Sequence, residues 1–173
     1  MLRMLRSDSE VYYKRKYKRF DLLLGFFRFS GLRALILHRY GQYLRNKGWR
    51  VLPFIIYRLL RVLCNIDIEP GAKIGVGLRM PHTMCIMIGG GVSIGDFCTI
   101  MQGVTLGGNN GKKNDDGISQ PQLSSRVFCG VGAVIVGPCY IGDDVIVGAN
   151  AVVTKDVPNN SKVFGAKAKV IDG

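Results

Sequence analysis

The chain has 173 residues, 47% hydrophobic and 21% charged, so it can bury a real core and is not disordered by composition. With 23 Gly but only 6 Pro it is neither collagen-like nor a Pro-rich linker. The net charge of +12 lies entirely in residues 1–65, which hold 15 Lys/Arg against 3 Asp/Glu, whereas residues 66–173 hold 9 of each; a nucleic-acid binder that is basic throughout is excluded.

Residues 2–6 are too few and too charged for the apolar core of a signal peptide. The predicted helices occupy residues 10–64. Leu22, Leu23, Phe26 and Phe27 follow the helical period, as do Leu32, Leu35, Ile36 and the stretch 40–44, with Gly25, Gly31, Gly41 and Gly48 as punctuation. His38, beside Arg39 in a basic helix, is expected at the surface. A further amphipathic stretch covers residues 51–64, with Arg58 and Arg61 on one side. Its length, Pro53 and the two arginines argue against a membrane span. The basic face is either a solvated surface or a seat for anionic lipid or an anionic polymer.

From Ile68 onward an aliphatic residue recurs every six positions: Ile68, Ile74 and Met80, then after a slip of two Ile88, Ile94, Ile100 and Leu106, and after a longer break Leu123, Cys129, Ile135, Ile141, Val147 and Val153. Four positions after most of them stands another apolar residue, usually small, from Ala72 and Val92 through Cys98 and Cys139 to Val157. A period of six fits neither a helix nor a hairpin meander. It predicts a parallel β-helix of short strands and tight corners, with Gly, Asn and Asp tolerating positive φ at the turns. The five cysteines, Cys64, Cys85, Cys98, Cys129 and Cys139, form no CxxC pair, so zinc spacing is absent and no metal is expected. Cys98 and Cys139 read as packing, and reduced thiols fit a cytoplasmic location.

His82 lies where the six-residue register slips. A bulge there would push its side chain off the regular wall. The alternatives at this point are a hydrogen-bonded corner residue and a catalytic base.

The segments Asp67-Ile-Glu-Pro-Gly-Ala-Lys-Ile-Gly75, Pro81-His82-Thr83, Gln102-Gly-Val-Thr-Leu-Gly-Gly108 and Gly148-Ala-Asn-Ala-Val-Val153 resemble the hexapeptide-repeat acyltransferases. The likeness covers about residues 60–173 and is greatest to serine acetyltransferases and the colanic-acid type of polysaccharide O-acetyltransferase. It implies a mainly β fold, a left-handed parallel β-helix over 66–173 with a loop excursion at 107–122, behind a basic α-helical segment over 1–65. It implies acetyl-CoA as co-substrate, no metal, and direct acetyl transfer with His82 as general base and Asp67 as its carboxylate partner. Gly107, Gly108, Val131, Ala149, Lys155 and Lys167 become candidate contacts to coenzyme A, with Lys112, Lys113 and Lys169 as further phosphate candidates. It also implies a homotrimer or a pair of trimers.

For the acceptor, serine acetyltransferases carry Asp-His where this chain has Pro81-His82, and Arg-His-Pro where it reads Ser119-Gln120-Pro121. A free amino acid presents two charges that are costly to bury unpaired. The uncharged Ser119 and Gln120 suit hydroxyl recognition instead, and the helical front is shorter than in typical serine acetyltransferases. The expectation is therefore a sugar or polysaccharide acceptor, the enzyme resting near the inner membrane face. Serine O-acetylation is the alternative, and a β-helix scaffold or membrane-binding module without chemistry is the non-enzymatic one.

Overall fold

The computed structural model describes residues 1–166. Lys167 and Lys169 lie outside the described residues. Four helices come first: α1 (Leu2–Tyr13), α2 (Asp21–Arg28), α3 (Ser30–Asn46) and α4 (Val51–Cys64). The strands follow in chain order: β1 (Ile66–Ile68), β2 (Lys73–Ile74), β3 (Ile86–Ile88), β4 (Ser93–Ile94), β5 (Thr99–Ile100), β6 (Thr105–Gly108), β7 (Gln122–Leu123), β8 (Phe128–Cys129), β9 (Val134–Gly137), β10 (Tyr140–Ile141), β11 (Ile146–Val147), β12 (Val152–Val153) and β13 (Lys162–Val163).

The strands stack into three parallel sheets, ordered β1-β3-β6-β9-β12, β2-β4-β7-β10 and β5-β8-β11-β13. The chain winds through one strand of each sheet in turn, giving the left-handed parallel β-helix behind an N-terminal helical segment. Every aliphatic residue of the six-residue series points into the prism and is buried, as is every small residue four positions later. Each fully buried Ile or Leu of this kind contributes roughly 1.5–3 kcal/mol.

Register shows where the coil is regular. Met87 stands beside Thr105 and Val134 beside Val152, eighteen residues apart. Asp67 beside Met87, Lys73 beside Ser93 and Arg79 beside Thr99 are twenty apart, so the first coil carries two extra residues. Thr105 beside Val134 is twenty-nine apart, which places eleven extra residues between β6 and β7. Corners recur in the left-handed conformation at Phe97 and Gly103, Arg126 and Gly132, and Asp144 and Asn150. Each donates its N–H to the coil above, as Gly103 does to Met84 O (3.0 Å) and Gly132 to Gln102 O (3.0 Å). Phe97 and Arg126 hold positive φ as well as the Gly, Asn and Asp expected there. Ladder bonds on both sides impose a conformation that costs a non-glycine residue on the order of 1–2 kcal/mol.

The helical front shares this core. Ala34, Leu35, Leu60 and Cys64 belong to the same buried cluster as the first coil. A buried ion pair fastens α1 and α3 to the β-helix: Arg39 Nε and Nη2 donate to Asp8 Oδ2 (2.6 Å) and Oδ1 (3.0 Å). Asp8 Oδ1 also accepts the Gly77 N–H (2.8 Å), while Arg39 reaches the carbonyls of Ile74 (3.1 Å) and Gly75 (2.6 Å). Helix α1 begins earlier than the apolar period indicates, because its buried stripe is Leu5, Asp8 and Ser9, largely polar.

His38 is not at the surface. It is buried among Gly41, Pro53, Ile56, Leu60 and Ile68, where α3 and α4 meet the first coil. The neighbouring residues along the chain mark a basic helix, but the covering groups come from α4 and β1. Burial pulls its pKa down from 6.5 to about 4. Between those two values the unfolded chain binds a proton that the folded chain does not, so stability falls as pH drops through that window. The expected loss is on the order of 3 kcal/mol. Urea denaturation across the window reads it directly, and His38→Phe should lose less stability over the same interval than the parent.

Candidate active site

The two extra residues of the first coil can be placed more closely. Arg79 bridges to Thr99, and Cys85 takes the left-handed corner conformation that Gly103 takes one coil below. Between Met80 and Cys85 the corner holds four residues, 81–84, where the next coil holds Met101 and Gln102. His82 is one of these four and its side chain is exposed.

The excursion is pinned on both sides. The Tyr12 hydroxyl accepts the Met80 N–H (2.8 Å) and donates to Met80 O (3.3 Å). Thr83 Oγ1 donates to Cys64 O at the end of α4 (2.5 Å), and the Cys85 N–H bonds Asn65 O (3.0 Å). Gly31 of α3 lets the Tyr12–Met80 contact close, since a Cβ there would collide with both Met80 O and the Tyr12 hydroxyl. His82 thus projects from a corner whose backbone is fixed.

Asp67 lies on β1, half-buried, on the outer face of the first sheet. Its Oδ1 accepts the Tyr57 hydroxyl proton (2.8 Å) and its Oδ2 pairs with Arg61 (3.1 Å), both from α4. That bond raises the Tyr57 pKa and keeps the phenol a donor. Among the described residues no nitrogen of His82 lies within 4.0 Å of a carboxylate oxygen, so within one chain the structure does not bring His82 and Asp67 into contact. Two clefts flank the corner. One, of about 280 Å3, is lined by Arg61, Asn65, Asp67, Cys85 and Met87. The other, of about 190 Å3, is lined by Val11, Tyr12, Lys14, Phe29, Arg79 and Pro81.

The other predicted residues divide between two edges of the prism. Val131 and Ala149, both exposed, immediately precede the corner residues Gly132 and Asn150, on the same edge as His82. Gly107 and Gly108 end β6 at the opposite margin of the first sheet, paired with Val136 and Gly137. A Cβ on Gly108 would stand 3.4 Å from Ser119 O and 3.7 Å from Gln120 Cγ, so Ser119 and Gln120 share this second edge. Lys155, exposed, continues from β12 to the same edge. Lys112 and Lys113 are exposed on the excursion between β6 and β7. Gln120 Oε1 and Gln102 Oε1 are buried without a hydrogen-bond partner among the described residues.

The thiols of Cys98 and Cys139, both buried, are pushed up to about 11, which keeps them protonated and inert. Among the described residues no cluster of His, Cys, Asp or Glu could hold a metal ion.

No protein-family model matches the sequence. A serine acetyltransferase of Synechococcus elongatus is 36% identical over 171 residues, covering 99% of this chain and 69% of that protein. One from Helicobacter pylori is 43% identical over 143 residues, covering 83% of this chain and 82% of that protein. The crystal structure of the Neisseria gonorrhoeae serine acetyltransferase in complex with serine superposes with a TM-score of 0.82 at 29% identity, covering 98% of this chain and 68% of that one. These likenesses overturn the expectation of a sugar or polysaccharide acceptor, which rested on the uncharged Pro81, Ser119 and Gln120. Charged groups also face the clefts beside the corner. In the folded chain Lys14 and Arg79 line the cleft containing Pro81, and Asp67 and Arg61 line its neighbour.

Proposed function

Because the chain belongs to the serine acetyltransferase family, and so is an acyltransferase, we propose that it transfers the acetyl group of acetyl-CoA to the side-chain hydroxyl of serine. The observation that carries the reading is the placement of His82, in a short extended corner of the prism, exposed and rigidly mounted.

In the proposed step an imidazole nitrogen of His82 takes the serine hydroxyl proton as the oxygen attacks the thioester carbonyl. The tetrahedral intermediate collapses, the C–S bond breaks, and the imidazolium returns the proton to the leaving thiolate. A base at this point is worth about 10²–10⁴-fold. Asp67, held by Tyr57 and Arg61 in the cleft beside the corner, adds a negative charge that favours the imidazolium without touching it, and the Gly107 and Gly108 N–H groups face the developing oxyanion. Lys14 and Arg79 suit the serine carboxylate. Val131 and Ala149 offer a small-residue groove to the pantetheine arm, and Lys155 offers a cation to the phosphates.

These groups lie on two edges of one prism. A homotrimer, in which the His82 edge of one subunit faces the Gly108 edge of the next, completes a site at each junction. Exposed Met87, Phe128, Ile146 and Val152 on the outer walls suit such packing.

Thiol release from acetyl-CoA tests the reading. L-Serine should give saturable release and L-alanine, which lacks the hydroxyl, none. Absence of serine-dependent release would overturn the assignment.

A further inference from the structure

The helical front exposes more apolar surface than a solvated helix pair needs. On α4 the inward stripe is Pro53, Ile56, Leu60 and Cys64, while Val51, Ile55, Leu59 and Val62 point outward, Val62 at 80% exposure. On α2 Leu23, Leu24 and Phe27 are outward, Phe27 at 74%. The ends of the two helices are tied through α3: the Arg33 guanidinium donates to Phe26 O at the end of α2 (3.3 Å) and to Leu63 O at the end of α4 (3.0 Å).

Cations frame this surface. Arg19 lies over the Phe20 ring (5.9 Å) and Arg58 over Phe54 (5.0 Å). Among the described residues neither these two nor Arg28, Arg45 or Arg50 has a carboxylate partner within salt-bridge distance. The only acids in residues 1–65 are Asp8, Glu10 and Asp21, and Asp8 and Asp21 are bound to Arg39 and Arg15. The helical front thus carries both the uncompensated charge of the chain and these exposed apolar side chains. A second copy docked on this face would set like charges against each other. A bilayer of anionic lipid meets both features, since acyl chains accept the apolar stripe and headgroups neutralise the arginines. No described helix is long and apolar enough to cross a membrane, so the contact is interfacial.

We propose that the α2–α4 face seats the protein on the surface of an anionic lipid bilayer. The proposal is independent of the acceptor. Trp49, the single tryptophan, is exposed on the turn between α3 and α4 and reports on the contact.

The full chain is mixed with vesicles of phosphatidylcholine alone or with phosphatidylglycerol added. Sedimentation and Trp49 emission are then read at low and high salt. Partition onto the anionic vesicles is expected to be at least roughly tenfold stronger than onto the neutral ones, weakening with salt, with a blue shift of Trp49. The Phe27→Glu/Val62→Glu variant should lose vesicle binding while keeping its solution mass and acetyl transfer. Failure to partition, equal partition onto both vesicles, or undiminished binding by the variant would each overturn the proposal. So would a fall in the variant's solution mass, which would assign the face to a second copy of this chain.

Discussion

Replacing His82 by alanine should lower kcat by about 10²–10⁴-fold while leaving thermal stability and acetyl-CoA binding unchanged. The two halves of this expectation come from different observations. The loss follows from the chemistry, since a serine hydroxyl is barely ionised near neutral pH and needs a base as attack develops. The preserved fold follows from the mounting. The corner is held by Tyr12 on Met80 and by Thr83 on Cys64, through backbone groups that do not involve the imidazole. The His82 side chain is exposed, so its removal opens no cavity. Steady-state thiol release with a thermal melt checks both halves. A variant that keeps its activity would move the base elsewhere, and one that melts early would make His82 a structural corner residue.

The largest effect on stability is expected at Asp8. Asp8→Ala leaves Arg39 as a buried, uncompensated cation and removes the acceptor of the Gly77 N–H, for a loss of about 3–5 kcal/mol. The buried pair also joins α1 and α3 to the first coil, so the loss should appear as one cooperative transition at lower denaturant. Replacing both partners with apolar residues of similar volume, Asp8→Leu with Arg39→Met, should recover much of it, because the desolvation cost of both charges disappears. A single Asp8→Ala variant as stable as the parent would show that the pair contributes nothing to docking the helices.

The β-helix was legible because its signal is local and repeated. Ile88, Ile94, Ile100 and Leu106 each occupy the same environment, and a two-residue slip in such a series is visible as arithmetic. The His82 corner was legible for the same reason. The Asp8–Arg39 pair was not, since its members are thirty-one positions apart and nothing near either of them announces the other. His38 was misplaced by the same blindness, as its cover comes from α4 and β1. The acceptor expectation weighed only neighbours along the sequence, whereas the cleft beside Pro81 also draws Lys14, just past α1, and Arg79, which bridges to β5. The expected pairing of His82 with Asp67 was drawn from the family resemblance, which does not show that Tyr57 and Arg61 of α4 hold the carboxylate.

Seen as a crystal, the prism is a lattice with two dislocations, one at residues 81–84 and one between β6 and β7. The proposed base stands at the first and the longest excursion leaves at the second, while the rows between them keep the regular register. The address of the proposed base is thus written in chain length. Excising two residues beside His82 would heal the lattice, and the corner would then hold only two residues, as the corner of Met101 and Gln102 does one coil below.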